Sequence, residues 1–366
     1  MIETAGHQVR WRRQQIAFDE ADRLGQAAFL GAVSGQSNEA RVGVKADNAD
    51  AFEAANTYWH IDNYMRYVNV ELGIDATPQA YTTGVRFDPH GANGADNSYF
   101  SSGSDIVVFG EGCVDDAEDA DVVIHELGHG LGLAHPHDTG GTSEVMTGVG
   151  GSSDTGAFSL NQGIFTVMSY NSSFVEGPVG TPAPGTDSGS MGSFMAFDIA
   201  LLQQKYGANP NTGGGNTVYT LDDDTSYWLA IYDVGGTDTI VNDSNTAATI
   251  DLRAASLLFE SGGGGFASAI DGIAGGVTIA NGTVIENATG GAAGDTLSGN
   301  AIANVLVGLA GNDTIFGRRG QDTISGGTGN DSIDAGSGDD LVAGGIGAGN
   351  GGEFGQSAGA PVSPGA

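Results

Sequence analysis

Residues 125–136 read His125-Glu126-Leu127-Gly128-His129-Gly130-Leu131-Gly132-Leu133-Ala134-His135-Pro136. His125 and His129 stand four apart, so on a helix they share one face and can grip a single metal ion. Glu126 lies beside them, where it can polarise a water bound to that metal. Gly132 can end the helix with a positive φ, and the chain can then turn back to offer His135 as a third ligand. Three protein nitrogens that leave a fourth position open are the donor set of a catalytic zinc site. Ordinary buried or exposed histidines on a helix do not account for this spacing together with Gly132.

The apolar residues around the motif place it. Ile106-Val107-Val108-Phe109 is a short run ended by Gly110, and 79–87 and 98–110 read as strands. Asp115 and Glu118 form an acidic start with capping-box spacing. Val122, Val123, Ile124, Leu127 and Leu131 then supply the buried side of the metal helix. Sheet followed by helix puts the metal at the floor of a cleft. The 104–110 strand is the expected edge on which an extended peptide could add as a further strand.

Upstream, Phe52, Ala55, Trp59, Tyr64 and Val68 recur at helical spacing over 50–72, with Gly73 as the stop. This aromatic stripe reads as core. A helix is also expected near 11–30. Downstream, 137–192 is rich in Gly, Ser, Thr and Pro and reads as loop, apart from an ordered island at Phe165–Tyr170. His137 and Asp138 read as solvated loop residues. Residues 194–206 form a helix with Phe194, Phe197, Leu201 and Leu202 inward, ended by Gly207 and followed by Pro210. A β-rich region runs from about 217 to 286.

From 290 to 343 the chain repeats every nine residues. Asp295, Asn304, Asp313, Asp322, Asp331 and Asp340 hold one phase, and Leu297, Leu306, Ile315, Ile324, Ile333 and Val342 another, two residues later. A glycine linker would not keep that double register. Short strands burying one aliphatic each, joined by glycine turns that bring one Asp per turn, can bind calcium. Successive repeats turn in opposite directions, so ligands should line up two repeats apart. The rows are Asp295–Asp313–Asp331 and Asn304–Asp322–Asp340. Asn304 weakens the charge of its row, Ala293 stands where a glycine is expected, and Arg318-Arg319 replace small residues in one turn.

Composition narrows the partners. Of 366 residues 45 are acidic and 12 basic, giving a formal charge of −33. Phosphate neutralisation needs clustered Lys and Arg, so nucleic acid and anionic membranes are not expected partners. The acidity suits a calcium-loaded, extracellular protein. Cys113 is the only cysteine, which rules out an intrachain disulfide and reads as a small buried residue. No apolar run reaches membrane-spanning length. Trp11, Arg12, Arg13, Asp19 and Glu20 interrupt any signal-peptide core near the N-terminus.

These residues carry a resemblance. His125–Pro136 followed by Phe165-Thr166-Val167-Met168-Ser169-Tyr170 resembles the metzincin clan of zinc proteases. Asp198–Asn209, Tyr232–Thr239 and the glycine repeats resemble the serralysin family within it, and the nonapeptides resemble the RTX repeat. The resemblance covers roughly residues 120–345. It implies an α+β metzincin-like catalytic domain followed by a parallel β-roll. The organisation would be a lead or pro-segment (1–48), a catalytic domain (49–210), a β-rich connector and roll (211–345) and a disordered tail (346–366). His125, His129 and His135 would bind one Zn2+ and Glu126 would be the general base. Met168 would lie in a tight turn beneath the metal, and Tyr170 would stabilise the oxyanion.

Several Ca2+ ions would be structural. One would lie near Thr217, Asp233, Gly235, Gly236, Asp238 and Glu286. The others would lie among the Asp rows and the turn residues Gly291, Gly308, Gly311, Gly317, Gly320, Gly326, Gly327, Gly329, Gly336 and Gly338. The implied protein is a secreted monomeric endopeptidase acting on protein or peptide substrates and exported by a type I-like route. Ala54–Asp62 and Asp115–Asp121 instead resemble thermolysin and fungalysin peptidases, which take an acidic third ligand; His135 and Met168 argue for histidine. A second class of function, an adhesive RTX protein with an inactive protease domain, would keep the roll and lose the chemistry of Glu126.

Overall fold

The computed structural model describes residues 106–110, 120–139, 144–171, 189–210, 212–222 and 227–345, with His7–Val9 and parts of 57–101. The expected helix near 11–30, the Asp115–Glu118 cap, Cys113, the strand residues 79–86 and the 346–366 tail lie outside the described residues.

Described residues between Thr57 and Arg66 are helical and run into a π-helical turn, Tyr67–Glu71. Gly73 stops it at φ +59. Tyr64, Val68 and Leu72 face inward and are buried, as their spacing requires. The region read as one strand over 98–110 is two. Tyr99–Ser101 and Ile106–Val108 pair antiparallel, with Tyr99 opposite Val108. Phe87–Asp88 pairs parallel on the other side of Ile106–Val108, which is therefore the central strand. Both of its backbone edges are used, so 104–110 is not the free edge for an added peptide. Among the described strands of this sheet, the edges are Phe87–Asp88 and Tyr99–Ser101.

Helix α1, Ala120–Gly130, buries Val123, Ile124 and Leu127. Gly132 turns the chain at φ +85. Helix α2, Ala196–Tyr206, buries Ile199 and Leu202, with Phe194 buried just before it. Leu201, expected inside, is 48% exposed, because Ile199 and Leu202 already occupy the inner stripe. Two side chains from the last turn of α2 reach the end of α1: Lys205 Nζ and Tyr206 Oη donate to the Leu131 carbonyl at 2.8 and 2.9 Å. They satisfy a carbonyl that α1 leaves without an intrahelical partner.

Residues 144–171, after α1, are more ordered than their composition implies. Asn161, Gln162, Ile164 and Phe165 are fully buried. Asn161 Nδ2 donates to the Asp154 carbonyl at 2.7 Å, and Asn171 Nδ2 donates to the Asn161 carbonyl at 2.7 Å. Side-chain amides replace regular secondary structure here, which hydrophobic periodicity cannot detect.

Strand Tyr227–Ile231 joins the two halves. It pairs parallel with Ser190–Met191 on one side and Gly276–Ile279 on the other. Its alternation divides its side chains: Trp228 and Ala230 enter the core that contains α1 and α2, while Leu229 and Ile231 enter the core of the C-terminal part.

The C-terminal part is a parallel β-roll. One sheet runs His7–Val9, Thr217–Leu221, Thr239–Asn242, Asn287–Thr289, Val305–Val307, Thr323–Ser325, Leu341–Ala343, all parallel. The facing sheet holds Ala248–Asp251, Thr296–Ser298, Thr314–Phe316 and Ser332–Asp334 in parallel, with Ala269–Ile270 antiparallel at its edge. Leu297 lies opposite Ile315, and Leu306 opposite Ile324, so neighbours in each sheet are two repeats apart. Leu297, Leu306, Ile315 and Ile324 are buried between the sheets, whereas Val342 at the last turn is exposed. The turns stack tightly: a Cβ on Gly329 would fall on the Gly311 carbonyl oxygen. Arg318 nevertheless adopts φ +74 at a position where a small residue was expected, and Leu309 does the same one turn earlier in the chain.

Because Ile315 is completely buried, Ile315→Ala should cost about 2–5 kcal/mol. Denaturant unfolding in calcium buffer measures this, and a loss under about 1 kcal/mol would contradict the packed interior.

Candidate metal centre

The three histidines of the opening motif converge through their Nε2 atoms. His135 Nε2 lies 3.1 Å from His125 Nε2 and 3.0 Å from His129 Nε2. Each ring is held from behind. His125 Nδ1 meets the Val167 carbonyl at 2.8 Å, His129 Nδ1 the Leu133 carbonyl at 3.0 Å, and His135 Nδ1 the Asp138 carboxylate at 3.0 Å. A carbonyl can only accept, so Nδ1 carries the proton on His125 and His129 and Nε2 presents a lone pair. Lone pairs aimed at one another repel unless a cation or protons lie between them. Nitrogens on a tetrahedral zinc stand about 3.3 Å apart, close to the observed spacing, so the donor set fits zinc.

Electrostatics favour the neutral rings that a metal needs. Burial, with His129 and His135 nearby, pushes His125 down to about 4 against the help of the Val167 carbonyl. Burial also lowers His129 and His135. Asp138, read from sequence as a solvated loop residue, instead orients His135, accepting from both its ring and its backbone N–H at 3.1 Å. The signal was the short spacing of three between the residues, which a single turn after Pro136 brings into contact.

Glu126 is buried beside the cluster on α1. The Tyr170 ring stacks on His125 with centroids 5.4 Å apart and lies 4.6 Å from that of His135. It is 60% exposed, so it stands where the cluster opens to solvent. Met168 is buried under the helix: a Cβ on Gly128 would stand 2.6 Å from its sulfur, so glycine at 128 lets the thioether reach the α1 backbone.

One residue that sequence reading did not single out ties this turn down. The carboxylate of Asp198, fully buried in the first turn of α2, accepts from Thr166 Oγ1 at 2.6 Å, Val167 N at 2.8 Å and Met195 N at 2.9 Å. Burial raises its pKa to about 6 despite those three donors. Its acidic position near a helix start was visible; its partners, distant in sequence, were not.

The acidic rows of the roll are brought together as their register implies. Asp313 Oδ1 accepts from Asp295 N at 2.8 Å and Asp331 Oδ1 from Asp313 N at 3.0 Å. In the other row Asp322 Oδ1 accepts from Asn304 N at 2.8 Å and Asp340 Oδ1 from Asp322 N at 3.0 Å. The second oxygens of Asp313, Asp322 and Asp331 are buried without a hydrogen-bond partner. Burial and neighbouring carboxylates push Asp313 and Asp322 upward. Buried, unpartnered carboxylate oxygens facing carbonyl-lined turns fit calcium.

Asp295 and Asn304 differ. Asp295 accepts from Asn242 Nδ2, Ala248 N and Gly291 N, and Asn304 Oδ1 accepts from Asn300 N. At the earlier cluster, Asp238 accepts from Thr217 N at 2.7 Å, and its own N–H donates to Glu286 at 2.7 Å. Burial, with Asp233 and Glu286 nearby, raises Asp238 to about 6, and its Oδ2 is buried without a partner. Gly235 N donates to Asp233 Oδ1 at 3.2 Å, and Gly236 packs on the Gly215 carbonyl beside Asp238.

Comparison with known proteins agrees with both halves. The model of the RTX calcium-binding nonapeptide repeat matches residues 289–324 and 319–350. Metallopeptidase AprA of Pseudomonas marginalis is 33% identical over 255 residues, 64% of this chain and 48% of that protein. Serralysin C of Dickeya chrysanthemi is 33% identical over 187 residues, 47% of this chain and 34% of that protein. Serralysin B of the same organism is 35% identical over 188 residues, 47% and 34% of the two chains. The matched part of this chain thus spans about half or less of the length of these curated relatives.

Asp198→Asn keeps the shape but turns an amide N–H toward one of three donors. It should lower stability by about 1–3 kcal/mol and weaken zinc retention through Val167 and His125. Denaturant unfolding and metal analysis after dialysis read the two effects. Unchanged stability together with unchanged zinc content would remove Asp198 from the site.

Proposed function

We propose that this serralysin-like chain with RTX repeats is a secreted zinc endopeptidase whose β-roll is stabilised by calcium. The observation that carries the reading is the convergence of three Nε2 atoms, each ring oriented from behind, next to a buried glutamate. Zinc held by His125, His129 and His135 would supply Lewis-acid chemistry, acidifying a water and polarising a peptide carbonyl.

The chain's own residues do the rest. Glu126 takes the proton of the attacking water and passes it to the leaving amine as the C–N bond breaks. Tyr170 donates its phenol to the carbonyl oxygen as charge develops there. Its position over His125 and His135, at the open side of the cluster, suits that role. Met168 gives the three-histidine site an apolar floor. Residues 49–210 would act as the catalytic unit and 211–345 as the connector and roll. The substrates would be proteins or peptides and the working form a monomer, with neither nucleic acid nor membrane as partner and export by a type I-like route.

Calcium would bind through the second oxygens of Asp313, Asp322 and Asp331, with Asp340 and turn carbonyls, and at Asp238 with Thr217, Asp233 and Glu286. Without a cation these buried carboxylates repel or take up protons.

Glu126→Ala should retain its zinc yet digest casein on the order of 10²–10⁴ times more slowly than wild type. Equal digestion by the two proteins, or none by a zinc-loaded wild type, would defeat the protease reading and favour an adhesive role. Chelating calcium should melt the 290–343 roll, seen as loss of β signal in circular dichroism; an unchanged spectrum would separate the roll's stability from calcium.

A further inference from the structure

His137 belongs to none of the roles above. Its ring stacks on that of His135, with centroids 5.0 Å apart and 19° between planes, and lies 5.4 Å from the ring of Tyr170. Its Nδ1 is buried and has no hydrogen-bond partner. A buried ring nitrogen without a partner is costly, and each of its two protonation states still asks for one. A carboxylate, that of Asp138, is on the next residue. One potential ligand atom from each of His135, His137 and Asp138 lies within 4.8 Å of the other two. Asp138 spends Oδ2 on the His135 ring and backbone, which leaves Oδ1 available.

We propose that His137 Nδ1 and Asp138 Oδ1 form a second site for a transition-metal cation such as zinc, on the outer side of His135. The proposal rests on the catalytic reading of the three-histidine cluster only for its effect on activity. An imidazole nitrogen with a carboxylate oxygen is a donor pair for zinc. Calcium asks for six to eight oxygens and gains little from an imidazole, so it is a poor competitor. Two protein ligands completed by water hold a metal weakly, so the site fills when zinc is in excess of the first equivalent.

Occupation draws on the carboxylate that orients His135. It also fixes His137 against Tyr170 at the open side of the cluster. A cation on Oδ1 draws charge from Oδ2 and weakens its hold on His135; losing such a partner behind a metal ligand altogether reduces activity on the order of 10- to 100-fold. Excess zinc is therefore an inhibitor that acts from the back of a ligand.

The test uses the full chain with calcium held saturating. Bound zinc per chain is counted by elemental analysis after equilibrium dialysis against rising free zinc, and peptide hydrolysis is followed in the same samples. Wild type should take up a second equivalent that His137→Ala and His137→Gln lack, while both variants keep the first. Circular dichroism of the variants confirms their fold, and the glutamine variant covers the case in which alanine opens a gap against His135. Wild-type hydrolysis should fall about 10-fold or more as the second equivalent binds, while each variant keeps the rate it has at one equivalent. If the variants bind the second equivalent as wild type does, or if wild type binds only one, the site does not exist. If no sample hydrolyses peptide, the protease reading fails and the metal counts alone still decide this proposal.

Discussion

The buried carboxylate of Asp198 is the contact on which the arrangement of the site depends. It accepts the Val167 N–H, and the carbonyl of the same residue accepts from His125 Nδ1. A single residue, Val167, thus carries position from α2 to a histidine of the cluster on α1. Asp198 also holds Thr166 and the N–H of Met195, so the turn containing Met168 and the start of α2 are fixed by one group. At the other end of α2, Lys205 and Tyr206 close the last turn of α1 through Leu131. Both ends of α2 are thus tied to α1, and the chain turning back from Gly132 to His135 starts from a fixed point. A metal ligand set needs placement to within a few tenths of an ångström. Packing of apolar side chains alone seldom sets direction that sharply, whereas hydrogen bonds do.

Strand Tyr227–Ile231 extends the same frame into the roll. Its alternating side chains serve two cores at once, with Trp228 and Ala230 on one face and Leu229 and Ile231 on the other. Its backbone pairs with Ser190–Met191 on the side of the histidine cluster, and Met191 N donates to Asp121 on α1 at 3.0 Å. Asp233, two residues beyond the strand, accepts from Tyr219 at 2.7 Å within the cluster that contains Asp238 and Glu286. Few residues therefore separate that acidic cluster from the helix that carries His125. The roll is attached to the part that carries the histidine cluster by a shared strand rather than by a linker.

Local signals in the sequence were enough for the motif helix, the stop at Gly132, the inward face of α1 and the two-repeat register of the roll. Each follows from a spacing within about one turn or one repeat. What stayed hidden was carried by contacts between distant residues. Asp198 and Thr166 lie 32 apart in the chain, and Lys205 and Leu131 lie 74 apart. The apolar run Ile106–Phe109 announced a strand but not its neighbours, and its central place in the sheet removed it as a peptide-binding edge. Leu201 was misplaced because helical spacing allows several inner stripes, and tertiary packing chose the one through Ile199 and Leu202. The amide network of Asn161 and Asn171 left no periodic trace at all.

The two kinds of candidate metal site share one physical design. At the histidine cluster each ring spends Nδ1 on the protein and turns Nε2 toward its neighbours. In the roll Asp313, Asp322 and Asp331 spend Oδ1 on a backbone N–H two repeats earlier and keep a buried Oδ2 without a partner. In both, one atom of the side chain is used for orientation, and the other is left as a donor whose desolvation a cation can offset. The first turn of each row departs from this design: the oxygens of Asp295 and the amide of Asn304 are satisfied by protein groups. Asn304 is therefore more than a weakened aspartate, since its Nδ2 donates to Glu286 O and Asn300 Oδ1, which a carboxylate cannot do. Closed by protein next to the shared core, these turns give the roll a template on which the later turns, with their unpartnered carboxylate oxygens, can stack.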